Sequence, residues 1–138
     1  MNNILYFDPT QDQRVILILL KSGRIFKITK RYSLPLGEVL LEIINDFLKS
    51  AKVNLKQLQA ITVVIGPGSF SSLRIGVVVA NTLAWALKIP VFGLKAGELK
   101  NERELFKIIN NKLKNIRKRF KIVLPFYNQE PNITWPES

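Results

Sequence analysis

The stretch Ala60-Ile61-Thr62-Val63-Val64-Ile65-Gly66-Pro67-Gly68-Ser69-Phe70-Ser71-Ser72-Leu73-Arg74-Ile75-Gly76 decides the fold of this 138-residue chain. Residues 60–65 form a mostly apolar, β-branched run of the kind a buried strand uses. Leu73 to Lys88 is a long apolar run without a proline, which predicts a helix. Between them lie two glycines, a proline, a phenylalanine and three serines. That composition makes a tight strand-loop-helix joint, with glycines where other residues resist the backbone angles.

Such a joint can hold an anion, because the first backbone N–H groups of a helix have no internal partner. Gly66, Gly68, Ser69 and Ser71 are the candidate anion-binding positions. Ser71 or Ser72 is the expected cap, and Arg74 adds a positive charge in the expected first turn, against the helix dipole. The alternative reading is a plain tight turn with a capped helix. The loop is not a Walker A loop, since no Gly-Lys-Ser/Thr follows the glycines.

Upstream, Ile4 to Phe7 is a short apolar strand that ends at the turn Asp8-Pro9-Thr10. Val15 to Leu20 is a six-residue apolar run, expected to be covered on both faces. Ser22-Gly23 reads as a hairpin turn, with Ile25 to Lys30 as the return strand; its lysines suggest a protected sheet edge. Pro35 opens a helix whose apolar residues, Leu36, Val39, Leu40, Ile43, Ile44, Phe47 and Leu48, recur at helical steps. With Leu41 the apolar arc reaches roughly 200°, wider than one core-facing stripe needs. A second helix or a partner chain should cover the remainder.

Downstream, Pro90 to Leu94 reads as another buried strand. A third helix is expected from about Leu99 to Arg119, with Phe106, Ile109, Leu113, Ile116 and Phe120 on its apolar face. Ile122 to Ser138 is punctuated by Pro125, Pro131 and Pro136 and reads as an extended tail. The order β-β-β-α-β-α-β-α makes an α/β fold with a mixed five-stranded sheet and helices on its faces. Residues 1–121 are expected to form the domain and 122–138 the tail.

Composition narrows the chemistry. The chain has neither cysteine nor histidine, which removes thiolate nucleophiles, Cys/His zinc sites and Ser-His-Asp triads from within it. No catalytic residue, metal site or cofactor is expected. No signal peptide is visible and no apolar stretch reaches about 18 uninterrupted residues, so the expectation is a cytoplasmic protein without membrane contact. The net charge of +11 favours an acidic partner, nucleic acid above all. Nine basic and two acidic residues between Lys100 and Lys121 place +7 of that charge in one segment. Lys112, Lys114, Arg117, Lys118, Arg119 and Lys121 are the candidate nucleic-acid contacts, which should weaken steeply with salt; the alternative is a solvated helix face.

Three stretches together carry a family likeness: Gly66-Pro67-Gly68-Ser69-Phe70, Leu73-Arg74-Ile75-Gly76 and Ile89-Pro90-Val91. They resemble the signature of the bacterial TsaB (YeaZ) family, over about residues 1–97. Ile4 to Thr10 resembles the family's opening strand and turn, with Pro9 where the family has threonine. Ser71-Ser72 stands where Thr-Gly is usual, and Tyr32-Ser33 where a His-Ser pair is common. Pro125-Phe126-Tyr127 resembles the closing stretch.

The resemblance implies an actin-like ATPase (RNase H-like) domain. It also implies a non-catalytic part in making threonylcarbamoyladenosine on tRNA, beside a TsaD-like enzyme. Enzymes of the TsaD type carry a histidine pair for a metal, which this chain lacks. Family members carry a second, smaller actin-like half, so the likeness implies a shortened form without a nucleotide site between halves. In the actin-like fold an aspartate at the position of Asp8 holds a metal-bound phosphate; the alternative is a turn-making aspartate before proline.

The expected docking face comprises Leu36, Leu40, Ile44 and Phe47 of one helix and Leu73, Arg74, Val77, Asn81 and Trp85 of the next. A homodimer through the same face is the expectation for the chain alone. Two rival readings remain: a stand-alone basic RNA-binding module, and a small nucleotide-binding enzyme built on the glycine loop.

Overall fold

The computed structural model describes residues 3–99 and 101–114. Strands β1 (Asn3–Asp8), β2 (Arg14–Lys21) and β3 (Arg24–Arg31) form a meander. Then come helix α1 (Leu36–Ser50), a 3₁₀ turn (Leu55–Gln57), β4 (Ala60–Gly66), α2 (Phe70–Leu87), β5 (Val91–Lys95) and α3 (Glu102–Lys114). The sheet runs β3-β2-β1-β4-β5. The meander pairs are antiparallel, while β1–β4 and β4–β5 are parallel. This is the expected mixed sheet, in the actin-like (RNase H-like) arrangement.

Period-two alternation divides the core into two. Leu5 and Phe7 of β1, Leu17 and Leu19 of β2, and Ile61 and Val63 of β4 face α1 and α2. Ile4, Tyr6, Ile18, Leu20, Ala60, Val64 and Leu94 face the other way, against Leu105 and Ile109 of α3. β2 is thus covered on both faces, as its unbroken apolar run predicts. β3 is the exposed edge that its lysines suggest. Ser22 and Gly23 both lie at positive φ, the geometry that lets a two-residue hairpin follow strand twist.

Several boundaries differ from expectation, each for a local reason. β5 is the opposite edge of the sheet, so of its five residues only Leu94 is buried. α2 starts at Phe70, three residues before Leu73, and its cap is Ser69 rather than Ser71 or Ser72. The amide of Ser69 is fixed by Thr10 O at 2.7 Å, and its carbonyl accepts from Leu73 N at 2.9 Å. Arg74 therefore sits in the second turn. Lys88 closes α2 in the left-handed conformation. α3 begins at Glu102 because Asn101 Oδ1 caps it, accepting from Glu104 N at 3.0 Å.

Leu105 belongs to the buried face of α3 together with Ile109, and was absent from the predicted stripe. The side chains of Phe106 and Leu113, the residues 115–119 expected in that helix, Phe120 and the tail lie outside the described residues. α2 is 18 residues long and apolar enough on average to cross a membrane. In this fold it is a core helix, with Leu73, Val77, Ala80 and Ala84 buried.

Two glycines in helices test the packing in opposite directions. A Cβ on Gly76 would stand 2.4 Å from Pro9 Cγ, whereas one on Gly37 would meet Ile75 at an ordinary 3.8 Å. Alanine gains up to about 1 kcal/mol of helix propensity over glycine, and overpacking against a rigid ring costs about 1–3 kcal/mol or more. Gly76→Ala is therefore expected to destabilise in urea titration, and Gly37→Ala to be neutral or stabilising. Thr62 is fully buried, and its hydroxyl has no hydrogen-bond partner among the described residues. Thr62→Val keeps the branched shape and should add about 1 kcal/mol of stability in the same titration.

Candidate functional site

β1 and β4 are parallel neighbours, so the chain leaves both at the same end of the sheet. The turn after β1 and the loop after β4 therefore meet. Asp8 Oδ1 accepts from Thr10 N at 2.8 Å and from Thr10 Oγ1 at 2.5 Å, which folds the exit of β1 into a tight Asx-type turn. That turn lies against the glycine loop. A Cβ on Gly68 would come within 2.4 Å of Thr10 O, so only glycine admits the turn there. Gly66 is the residue that uses a positive φ, 118°, and its carbonyl accepts from Ala96 N at 2.7 Å.

Of the loop positions named as anion candidates, Gly66 is buried, Ser69 is half-buried, and Gly68 and Ser71 are exposed. The Ser69 amide is already committed to Thr10 O, and its hydroxyl points to Ser72 Oγ at 3.3 Å. The loop grips the chain's own turn, and Asp8 spends a carboxylate oxygen on making that turn. Among the described residues no three Asp or Glu side chains gather as a metal site.

The titrating groups with displaced values are structural. Burial pushes the Tyr6 phenol well above its ordinary value, helped by the negative charges of Asp8 and Glu102. Lys27 Nζ, 2.7 Å from Glu102 Oε1, holds that carboxyl below its ordinary value and ties α3 to β3 at the surface.

The expected docking face divides on burial. Leu36, Leu40, Ile44 and Phe47 of α1, and Leu73 and Val77 of α2, are all buried in the chain's own core. They are corrected to core residues: α1 packs on the sheet and beside α2, and that absorbs its wide apolar arc. Arg74 and Trp85 are exposed, and Asn81 is half-buried. Phe70 and Val78 join them, although neither was singled out in the sequence.

At 100° per residue, positions 70, 81, 74, 85 and 78 fall within about 80° of the α2 surface. Trp85 is 75% exposed, Val78 62% and Phe70 50%, while the Arg74 guanidinium lies 5.5 Å from the centre of the Phe70 ring. A helical projection centred on Arg74 and Trp85 would have found Val78. Phe70 lies outside the helix that the apolar run predicts from Leu73, so a projection of that helix omits it. Of the candidate tRNA contacts, Lys112 and Lys114 belong to the end of α3. Their side chains, and Arg117, Lys118, Arg119 and Lys121 entirely, lie outside the described residues.

Comparison with known proteins gives this geometry a setting. The family described as TsaD, tRNA N6-adenosine threonylcarbamoyltransferase, matches residues 34–107, just over half of the chain. The tRNA threonylcarbamoyladenosine biosynthesis protein TsaB of Buchnera aphidicola subsp. Schizaphis graminum is 29% identical over 94 residues, 68% of this chain and 45% of that protein. The tRNA N6-adenosine threonylcarbamoyltransferase of Persephonella marina is 38% identical over 52 residues, 38% of this chain and 15% of that protein. Among solved structures, YeaZ from Pseudomonas aeruginosa superposes with a TM-score of 0.63 at 30% identity, covering 69% of this chain and 44% of that one. The matched part spans less than half the length of these relatives.

The role of Asp8 can be tested by two substitutions. Asp8→Asn retains an oxygen for both Thr10 donors and should change stability by only a few tenths of a kcal/mol. Asp8→Ala orphans both and should cost about 1–2 kcal/mol in thermal or urea unfolding. A carboxylate needed for its charge, at a metal or a phosphate, would not tolerate the asparagine in a binding measurement.

Proposed function

The chain belongs to the TsaB (YeaZ) family, and from that premise we propose that it is a non-catalytic subunit in threonylcarbamoyladenosine formation on tRNA, docking on a TsaD-like enzyme. The observation that carries the docking is the α2 stripe. Three large apolar side chains, one of them a tryptophan three-quarters exposed, line one face of a helix whose opposite face is buried in the core. Tryptophan and arginine are the residues that most often dominate binding energy at interfaces. Trp85 and Arg74 supply one of each, and Phe70 supports the guanidinium by a cation–π contact. In the absence of the enzyme the same stripe pairs with a second copy.

The non-catalytic part of this reading is supported by a chain without histidine or cysteine, whose Gly68 and Asp8 are engaged in packing its own turn. The basic run from Lys112 through Arg117 to Lys121 is proposed as the side of the subunit that faces tRNA in the assembled complex, in the cytoplasm. The domain is proposed to extend over residues 1–121, with 122–138 as a tail.

A pull-down with the TsaD-like enzyme of the same source, with light scattering on the chain alone, tests the docking. Trp85→Ala and Val78→Asp are expected to weaken enzyme binding about tenfold or more and to shift the isolated chain toward monomer. Both positions are exposed, so melting should change by no more than about 0.5 kcal/mol. Variants that bind as well as the parent would move the interface off α2, and a monomer that ignores the enzyme would end the subunit reading.

A further inference from the structure

The open end of the β2–β3 hairpin carries a feature that docking through α2 does not use. Arg14, the first residue of β2, is paired directly with Arg31, the last of β3. Like charges placed directly across an antiparallel pair repel, and sequences avoid them unless something offsets the cost. Here neither guanidinium has a hydrogen bond or ion pair among the described residues. The two line a cavity of about 440 Å³ together with Asp12, Gln13, Tyr32 and Ser33. With two arginines against one aspartate, the lining carries a net positive charge.

The cavity is set by the backbone around it. Gln13 lies at φ 59°, which ends the turn and starts β2 at Arg14. Its carbonyl accepts from Tyr32 N at 3.1 Å, closing the hairpin one step beyond the arginine pair. Tyr32 also reaches α2, its hydroxyl 3.5 Å from Ser72 Oγ. The pocket is therefore braced on one side by the hairpin and on another by the first turn of α2.

We propose that the Arg14–Arg31 cavity is a binding site for a phosphoryl group, carried either by a small phosphate ester or by the backbone of an RNA strand. Two arginines paired in register and lining one cavity offer planar guanidiniums, whose paired N–H donors bind phosphate oxygens bidentately. Gln13, Tyr32 and Ser33 add polar residues to the same lining. A bound anion removes the repulsion between the arginines, which explains a pairing that the empty hairpin would not favour. The cavity is also large enough to admit more than the tip of a single carboxylate side chain. This site stands apart from the α2 stripe, and its test does not depend on the enzyme partner.

The experiment measures melting of the full chain in inorganic phosphate against chloride at matched ionic strength, with a short single-stranded RNA and polyglutamate as parallel arms. Ligand that binds only the folded state raises the melting temperature, by a few degrees at roughly ten times its Kd. Arg14→Gln and Arg31→Gln should weaken the site's affinity about tenfold or more and so cut the phosphate shift to about a third or less. Because each removes one half of a repulsive pair, their melting without ligand should equal or exceed that of the parent, which separates lost binding from lost folding.

Arg24→Gln, at the far end of the same strand, removes the same charge and should keep the shift. A shift with RNA that phosphate competes away, and that needs both arginines, assigns the site to a strand backbone. A shift with phosphate alone assigns it to small esters. No shift in either arm, an equal loss in Arg24→Gln, or a response to polyglutamate only would overturn the proposal.

Discussion

The close approach of two backbone segments fixes this structure: the turn at Asp8-Pro9-Thr10 lies against the loop and helix that follow β4. Parallel pairing of β1 with β4 brings both chain exits to one end of the sheet. Two side chains must then be missing, at Gly68 against Thr10 and at Gly76 against Pro9. Once they are missing, Thr10 O can receive the Ser69 amide at 2.7 Å, and that bond sets where α2 begins. The start of the helix is thus decided by a residue sixty positions away in sequence. Loop glycines that look like a phosphate cradle are used as a notch for the chain's own backbone.

That long-range contact also explains which boundaries were legible. The strand at 60–65, the hairpin turn and the two flanking strands follow from period and turn chemistry, and the structure places them within a residue of expectation. The start of α2 differs from expectation because the apolar run begins at Leu73, which points to the serines directly before it as caps. Ser69 makes no side-chain cap bond and is chosen by its tether to Thr10. The start of α3 was local and could have been read, since Asn101 stands three residues before the amide it caps.

The candidate site was less legible for a different reason. Periodicity identifies an apolar arc, but it does not say whether the surplus beyond one stripe meets a neighbouring helix or a separate chain. For α1 the surplus is largely spent inside the molecule: its Leu36, Leu40, Ile44 and Phe47 are buried and Leu41 alone of its large apolar residues is exposed. For α2 the near-uniform apolarity conceals two faces of different use, one carrying Val77, Ala80 and Ala84 to the sheet and one carrying Val78 and Trp85 to solvent. Gly76, Ala80 and Ala84 on the buried face let the helix sit close, while Phe70 and Trp85 stand outside. The Arg14–Arg31 pair was invisible until the hairpin register was known, because seventeen positions separate the two along the chain.

Charge then decides which surface is free to associate. β3 is an eight-residue strand at the edge of the sheet, the kind of element that invites another strand to pair with it. It carries Arg24, Lys27, Lys30 and Arg31, so a second copy laid along it in parallel register would bring like charges together at four of its eight positions, and a centred antiparallel copy would set Arg24 against Arg31. Lys27 is engaged by Glu102, but the remaining three have no such neutralisation among the described ion pairs. In a chain of net charge +11 the edge is therefore closed to self-pairing and open to anions. The α2 face has the opposite balance. Its single charge, Arg74, lies over an aromatic ring, and the cost of burying Trp85 and Val78 against another apolar surface is small beside the gain from removing them from water. Repulsion along one edge and hydrophobic surface on one helix together favour α2 as the proposed docking face and the hairpin as the proposed phosphate site.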